Sequence, residues 1–380
     1  MYACKTPKAV YAGQDALNQL PALLSGVKKA VVFSDRGIEK SGVLDKPLQL
    51  MQSAGVEYAL LTDLPAEPTY HQAQATVEAF RAAQGEVIVA IGGGSVMDAA
   101  KLCSILADGR WSVKDLLDDP SRGRKTVRSV MIPTTAGTGA EATPNAIVAV
   151  PEKELKVGIV CEEMIPDAVI LDGEMIARLP AHIAASTGVD ALCHAVECYT
   201  SKKATPFSNL YAMEALKLII PNIEKACLDP EAIESKNAML LAAYYAGVAI
   251  TCSGTTAVHA LSYPLGGKYH IPHGVANAMM LMPVMHFNFD CIRAELAQVH
   301  DALGQTAAET EADKARWTLE RMEEIVRTLK IPTDLKAYGV PAEDLEGLVK
   351  AGMDVQRLLV NNKRTVTAED ARKLYLELLA

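Results

Sequence analysis

Glu86-Val87-Ile88-Val89-Ala90-Ile91-Gly92-Gly93-Gly94-Ser95-Val96-Met97-Asp98-Ala99-Ala100-Lys101 reads as a strand, a turn and the opening of a helix. Glu86 to Ile91 is an apolar, partly β-branched run, the composition of a strand buried on both faces. Residues without a side chain let the backbone approach a phosphate, and a helix that starts there offers unpaired N–H groups and the positive end of its dipole. Neither common phosphate signature is met. Met97 stands where G-x-G-x-x-G needs its last glycine, and no Gly-Lys-Ser/Thr follows. A plain tight turn uses the same glycines, and Ser95 with Asp98 also has the spacing of a capping box.

Similar strands lie on either side: Lys29 to Ser34, Val56 to Leu61, Ser129 to Ile132 and Ala168 to Leu171. Helical patterns such as Gln72 to Ala83 separate them, so the chain reads as βαβ units building a parallel sheet covered on both faces. Such sheets bind ligands beyond the carboxyl ends of their strands, where Asp35 and Gly92 both fall. A carboxylate at Asp35 can accept hydrogen bonds from an adenosine ribose and repel a 2′-phosphate; it is also what a solvated turn would carry. Arg36 beside it is able to pair with that phosphate. After the Ser129 to Ile132 strand comes Pro133-Thr134-Thr135-Ala136-Gly137-Thr138-Gly139-Ala140-Glu141-Ala142-Thr143, dense in hydroxyls and glycine. Near Leu179-Pro180 the strands stop. Helices follow, punctuated at Pro206, Pro221, Pro230, Pro264, Pro283, Pro332 and Pro341. The expected organisation is an α/β domain over 1–179, with a parallel sheet and Rossmann-like dinucleotide binding, and an all-α domain over 180–380.

The second half holds one carboxylate and three imidazoles that suit a borderline divalent ion such as zinc or ferrous iron. Asp190 and His194 are four residues apart, hence on one face of a helix. His259 follows, and His273 closes Tyr269-His270-Ile271-Pro272-His273-Gly274. Any one of them alone would pass as a packed core residue; the set, among 8 histidines in the chain, reads as a metal site. Cys193 and Cys198 flank His194, but neighbours of a helical ligand point elsewhere, which argues against a thiolate site.

Composition narrows the classes. The 380 residues are half apolar and carry a net charge of −9, with no basic cluster to serve as a footprint for nucleic acid or anionic membrane. The 8 cysteines are scattered without a C-x-x-C pair, the usage expected of reduced thiols. The start has no hydrophobic signal core, and Ala238 to Ile250, the most apolar run, is too short for a span and reads as a core helix. The cytoplasm is the expected compartment.

The motifs at Gly92–Lys101, Ile132–Thr143, Gly188–Glu197 and His259–Gly274 together resemble those of the iron-containing (group III) alcohol dehydrogenases, over nearly the whole chain. The resemblance implies a dehydroquinate synthase-like architecture. It implies a pyrophosphate held at Gly92, Gly93, Gly94, Ser95 and Asp98, threonines Thr134, Thr135, Thr138 and Thr143 along the cofactor, and Lys156 at the nicotinamide ribose. Asp35 then favours NAD over NADP. Asp190, His194, His259 and His273 would ligate one divalent ion, ferrous iron before zinc, that takes the oxygen of a small primary alcohol, diol or aldehyde during hydride transfer. A homodimer or higher homo-oligomer is implied. Glycerol-type polyol dehydrogenases and maleylacetate-type reductases share the pattern. One departure concerns proton transfer: where many members carry a further histidine this chain has Tyr263, so Tyr263 and His270 are the candidate catalytic groups. Tyr263, His270, Leu261 and Leu265 further lead to the expectation of a mostly apolar pocket with one or two polar tips.

Overall fold

Six parallel strands form the sheet on which the first half of the chain is built, in the spatial order Ala9–Ala12, Ala168–Leu171, Arg128–Pro133, Val87–Gly92, Lys29–Phe33 and Glu57–Leu61. The computed structural model describes residues 1–65, 68–153 and 155–379; Glu154, beside Lys156, lies outside them. In chain order the elements of the first half are β1 (Ala9–Ala12), α1 (Leu20–Leu23), β2 (Lys29–Phe33), α2 (Arg36–Ser41), α3 (Asp45–Ser53), β3 (Glu57–Leu61) and α4 (Tyr70–Ala83). Then come β4 (Val87–Gly92), α5 (Gly94–Leu106), α6 (Val113–Asp118), β5 (Arg128–Pro133), β6 (Asn145–Val150), β7 (Leu155–Val160) and β8 (Ala168–Leu171). β6 and β7 form a separate antiparallel pair. Two elements were illegible in the sequence: β1 is an edge strand of four residues, too short to show a period, and β6 belongs to a hairpin off the main sheet.

Register explains why the ligand-binding ends converge. β4 pairs with β5 from Val87↔Arg128 to Gly92↔Pro133 and with β2 from Ala30↔Val87 to Phe33↔Ala90. Asp35, the glycine turn and Thr134 therefore follow three adjacent strands at one edge of the sheet. From β2 the chain crosses outward to β3 and then returns to the other side of β2 as β4, so the crevice between β2 and β4 is the topological switch point where such sheets take ligands. Every residue of β4 is buried, as its unbroken apolar run requires.

Thr69 caps α4 and exchanges both capping-box bonds with Gln72, which is why that helix starts at Tyr70, ahead of its apolar pattern. α5 is different. Its N-cap is Gly93, with no side-chain bond, so Ser95 and Asp98 do not form the capping box their spacing permits. Asp98 instead accepts from Ile147 N–H at 2.9 Å and pairs with Lys101 at 2.8 Å.

The remaining helices are α7 (Ala181–Tyr199), α8 (Pro206–Leu228), α9 (Ile233–Ser253), α10 (Ala257–Tyr269), α11 (His273–Ala302), α12 (Glu311–Thr328), α13 (Leu345–Asp354), α14 (Gln356–Leu359) and α15 (Ala368–Leu379). Pro180 occupies the N-cap of α7, and Pro206 opens α8. The expectation that the other prolines break helices fails at Pro221, Pro264 and Pro283, which lie inside α8, α10 and α11. An internal proline removes one backbone bond, a cost that the packing of a long buried helix offsets. The chain divides into two compact units, Lys5–Leu179 with Pro230–Tyr244, and Met1–Cys4 with Pro180–Asp229 and Tyr245–Ala380. Among the described residues no single helix is long and apolar enough to cross a membrane; α9 and α10 pass that test only together, bent by 105°.

Candidate metal and cofactor sites

α7, α10 and α11 each bring part of one cluster. Asp190 and His194 share a face of α7, His259 lies in the first turn of α10, and His273 is the first residue of α11. Their ligand atoms all lie within 4.8 Å of one another. The Nε2 atoms of His194, His259 and His273 stand 3.8, 3.7 and 3.7 Å from the same Asp190 oxygen, Oδ1. A four-coordinate ion with bonds of about 2.1 Å separates its ligands by roughly 3.4 Å, so the set has the size of a divalent-ion site. The donors also suit zinc or ferrous iron chemically. Burial drives the His194 pKa down to about 4, against the pull of Asp190, leaving a neutral imidazole able to ligate.

Two residues outside the predicted set hold these ligands in place. Glu197 lies one turn beyond His194 and is wholly buried. Its Oε2 hydrogen-bonds His259 Nδ1, which directs Nε2 at the cluster. Its Oε1 accepts from Thr256 N–H (2.9 Å), Thr256 Oγ1 (2.7 Å) and Val258 N–H (2.9 Å), the donors at the start of α10. Glu197 thus caps one helix from another and orients a ligand at once. Burial would raise its carboxyl, but His259 and Thr256 outweigh that and keep it ionised. Asn277, one turn along α11 from His273, donates Nδ2–H to Asp190 Oδ1 at 2.7 Å and is itself fixed by Ser262 Oγ. The only sequence signal for either was its place one helical turn from a ligand.

The other predicted groups are dispersed. Tyr263 stands beside the cluster, its ring centroid 6.5 Å from that of His259 and 6.2 Å from that of His273. His270 is an exposed left-handed C-cap of α10 (φ 54°), and its ring makes no hydrogen bond or ion pair among the described residues. Leu261 and Leu265, expected in a pocket wall, have no exposed surface and belong to the helical core; both fall on the inward face of α10. Arg357, from α14, reaches the site without any sequence signal: its Nη2 lies 3.5 Å from the Tyr263 hydroxyl and its Cζ 5.7 Å from the ring centre. Cys193 and Cys198 are buried, with thiols pushed up by that burial, and neither joins the cluster.

In the α/β unit the two hydroxyl- and glycine-rich segments meet. A Cβ on Gly94 would lie 3.0 Å from Thr138 Oγ1, and one on Gly93 3.6 Å from Thr135 Oγ1. At Gly92 it would strike the Val96 side chain at 2.6 Å, so glycine is required there by the turn itself. Thr134 N–H bonds Gly92 O at 3.0 Å, while its Oγ1 is buried without a partner, a polar atom left for a ligand. Thr143 and Ala140 are tied to α5 through Lys101, whose buried ammonium donates to Ala140 O at 2.9 Å and Thr143 Oγ1 at 3.2 Å. Asp35 caps α2 through Oδ1, accepting from Gly37 and Ile38 N–H, and Arg36 pairs with Asp63 at 2.5 Å. Lys156 is exposed on β7. Glycine-lined backbone, a helix start without a side-chain cap and an unpartnered hydroxyl fit a dinucleotide.

Comparison with known proteins follows the same lines. Residues 7–173 match the model described as iron-containing alcohol dehydrogenase, and residues 184–379 that of the C-terminal part of the Fe-containing alcohol dehydrogenase family. Long-chain-alcohol dehydrogenase 1 of Geobacillus thermodenitrificans is 31% identical over 375 residues, 97% of this chain and 94% of that protein. NAD-dependent methanol dehydrogenase of Bacillus methanolicus is 30% identical over 371 residues, covering 97% of each. Among solved structures, 1,3-propanediol oxidoreductase superposes over the full length of both chains with a TM-score of 0.93 at 28% identity.

Proposed function

The chain belongs to the iron-containing alcohol dehydrogenase family and is an oxidoreductase, and from that premise we propose that it interconverts a small primary alcohol or diol and its aldehyde, using NAD and one divalent metal ion. The convergence of Asp190, His194, His259 and His273 within one ion's reach carries this reading. Bound there, a divalent ion supplies Lewis acidity toward the substrate oxygen, and the nicotinamide exchanges the hydride. The protein's own work is to keep the ligand side chains aimed, through Glu197 and Asn277, and to hold the cofactor by residues 92–95, Thr134, Thr135, Thr138, Thr143 and Lys156. Ferrous iron is the proposed metal, in line with the family. Tyr263 is the polar group at the cluster and the better placed of the two proton-transfer candidates; His270, an exposed helix cap, is the weaker one.

NADH oxidation with a panel of short aldehydes and added Fe²⁺ or Zn²⁺ tests the proposal. His259→Ala should lose metal and turnover together while keeping its fold. Full metal occupancy in that variant would refute the ligand set. Asp35→Ser keeps a capping oxygen but drops the charge, so it should shift preference toward NADPH by about tenfold, or roughly 1.4 kcal/mol. An unchanged preference would leave Asp35 as a helix cap and nothing more.

A further inference from the structure

We infer that Arg357 gives this enzyme its substrate preference, selecting aldehydes and alcohols that carry an anionic group, a carboxylate or sulfonate, a short carbon chain away from the reacting oxygen. The inference rests on the dehydrogenase reading above and names the substrate class of that same site. Arg357 sits over the Tyr263 ring, which in turn lies beside His259 and His273, so one aromatic ring separates the guanidinium from the ligand cluster. Several cations of the helical unit are already paired: Lys268 with Asp344, Lys363 with Glu295, Arg321 with Glu224 and Arg372 with Glu346. Among the described residues no carboxylate pairs with Arg357; its partners are the hydroxyl and the ring face of Tyr263.

An arginine held this way keeps its fork of N–H donors available, and that fork matches a carboxylate or sulfonate bidentately. The charge balance points the same way. Asp190 and Glu197 together offset a divalent ion, which leaves the charge of Arg357 uncompensated beside the cluster. Arg357 is exposed, so with a neutral substrate it stays hydrated, whereas an anionic tail reaching past Tyr263 would meet it. Lys268 is bound to Asp344, so it does not compete for the role.

Two aldehydes of nearly equal shape test this, butyraldehyde and succinic semialdehyde, which differ in a terminal methyl or carboxylate. With the metal-loaded enzyme and NADH, kcat/KM should favour succinic semialdehyde by at least about tenfold, and added salt should erode that ratio. In R357L the ratio should fall to near unity, mainly through KM, and R357K should lie between. A wild-type ratio of one, or a ratio that R357L leaves unchanged, overturns the inference. Calorimetric titration of 4-hydroxybutyrate and butanol into the metal-loaded protein, without cofactor, makes the decision independent of turnover. If neither aldehyde is reduced, the dehydrogenase reading fails by itself. Arg357 then stands if 4-hydroxybutyrate binds wild type at least about tenfold more tightly than R357L, and falls if it binds both alike.

Discussion

Glu197 shows how much one buried side chain can be asked to do. It supplies the acceptors for the first turn of α10 and fixes which nitrogen of His259 faces the ligand cluster. A glutamine cannot do both, because its single oxygen must choose between the helix N–H groups and His259. Glu197→Gln should therefore weaken metal binding by roughly 10- to 100-fold, measured by competition with a chromophoric chelator. Unchanged affinity would reduce Glu197 to a helix cap. Glu141 makes a different case in the cofactor loop. Burial pushes its carboxyl from 4.5 up to about 7. The folded chain thus holds this proton more tightly than the unfolded one. Its contribution, at most ~3 kcal/mol, is complete below the unfolded pKa and is lost as the pH rises through the folded value. Glu141→Gln should flatten the loss of thermal stability between about pH 5 and about pH 8; a melting profile as steep as wild type would show that other groups set it.

At the scale of elements, α5 is joined to the loop after β5 by a buried ammonium. Lys101 has no exposed surface, and its bonds to Asp98, Ala140 and Thr143 fasten the glycine turn's helix to the threonine segment. Removing one partner of a buried ion pair strands the other charge, at a cost of about 3–5 kcal/mol. Lys101→Met should lower stability by that order and weaken NADH binding, while metal content stays that of wild type. Adding Asp98→Asn should recover part of the stability, since no charge is then left alone. If the double variant is no more stable than the single, the loss comes from packing of the lysine stem instead. The aliphatic and polar parts of this clamp lie 42 residues apart at Lys101 and Thr143, which no periodicity connects.

For the whole molecule, the candidate ligand groups divide cleanly by unit. Those proposed for the cofactor fall in 5–179, and the metal cluster falls in the unit containing 180–229 and 245–380. An ion present at a hundred times its dissociation constant adds about 2.7 kcal/mol to the state that binds it. Chelation should therefore raise amide hydrogen exchange in α7, α10 and α11 and leave β2, β4 and β5 as protected as before. A uniform rise across both units would mean that the metal stabilises more than the helices that carry its ligands.

Amino-acid order alone determined much of this protein. The apolar runs at Val87–Ile91 and Ala168–Leu171 are strands because nothing in them tolerates water, and the glycines after the first have no side chain to keep a ligand away. Asp190 and His194 share a helix face by spacing alone. Tertiary structure decided what spacing cannot carry. Ser95 and Asp98 have the letters of a capping box, yet Asp98 was taken by Ile147 and Lys101, which compete for the same carboxylate. Prolines that punctuate in isolation were absorbed into buried helices, and leucines next to a ligand turned into the core. Arg357 entered the site from a four-residue helix more than eighty residues beyond His273. Local order is written in a period of two or 3.6 residues, whereas a hydrogen-bond partner is settled by which elements pack together, and that depends on the whole chain at once.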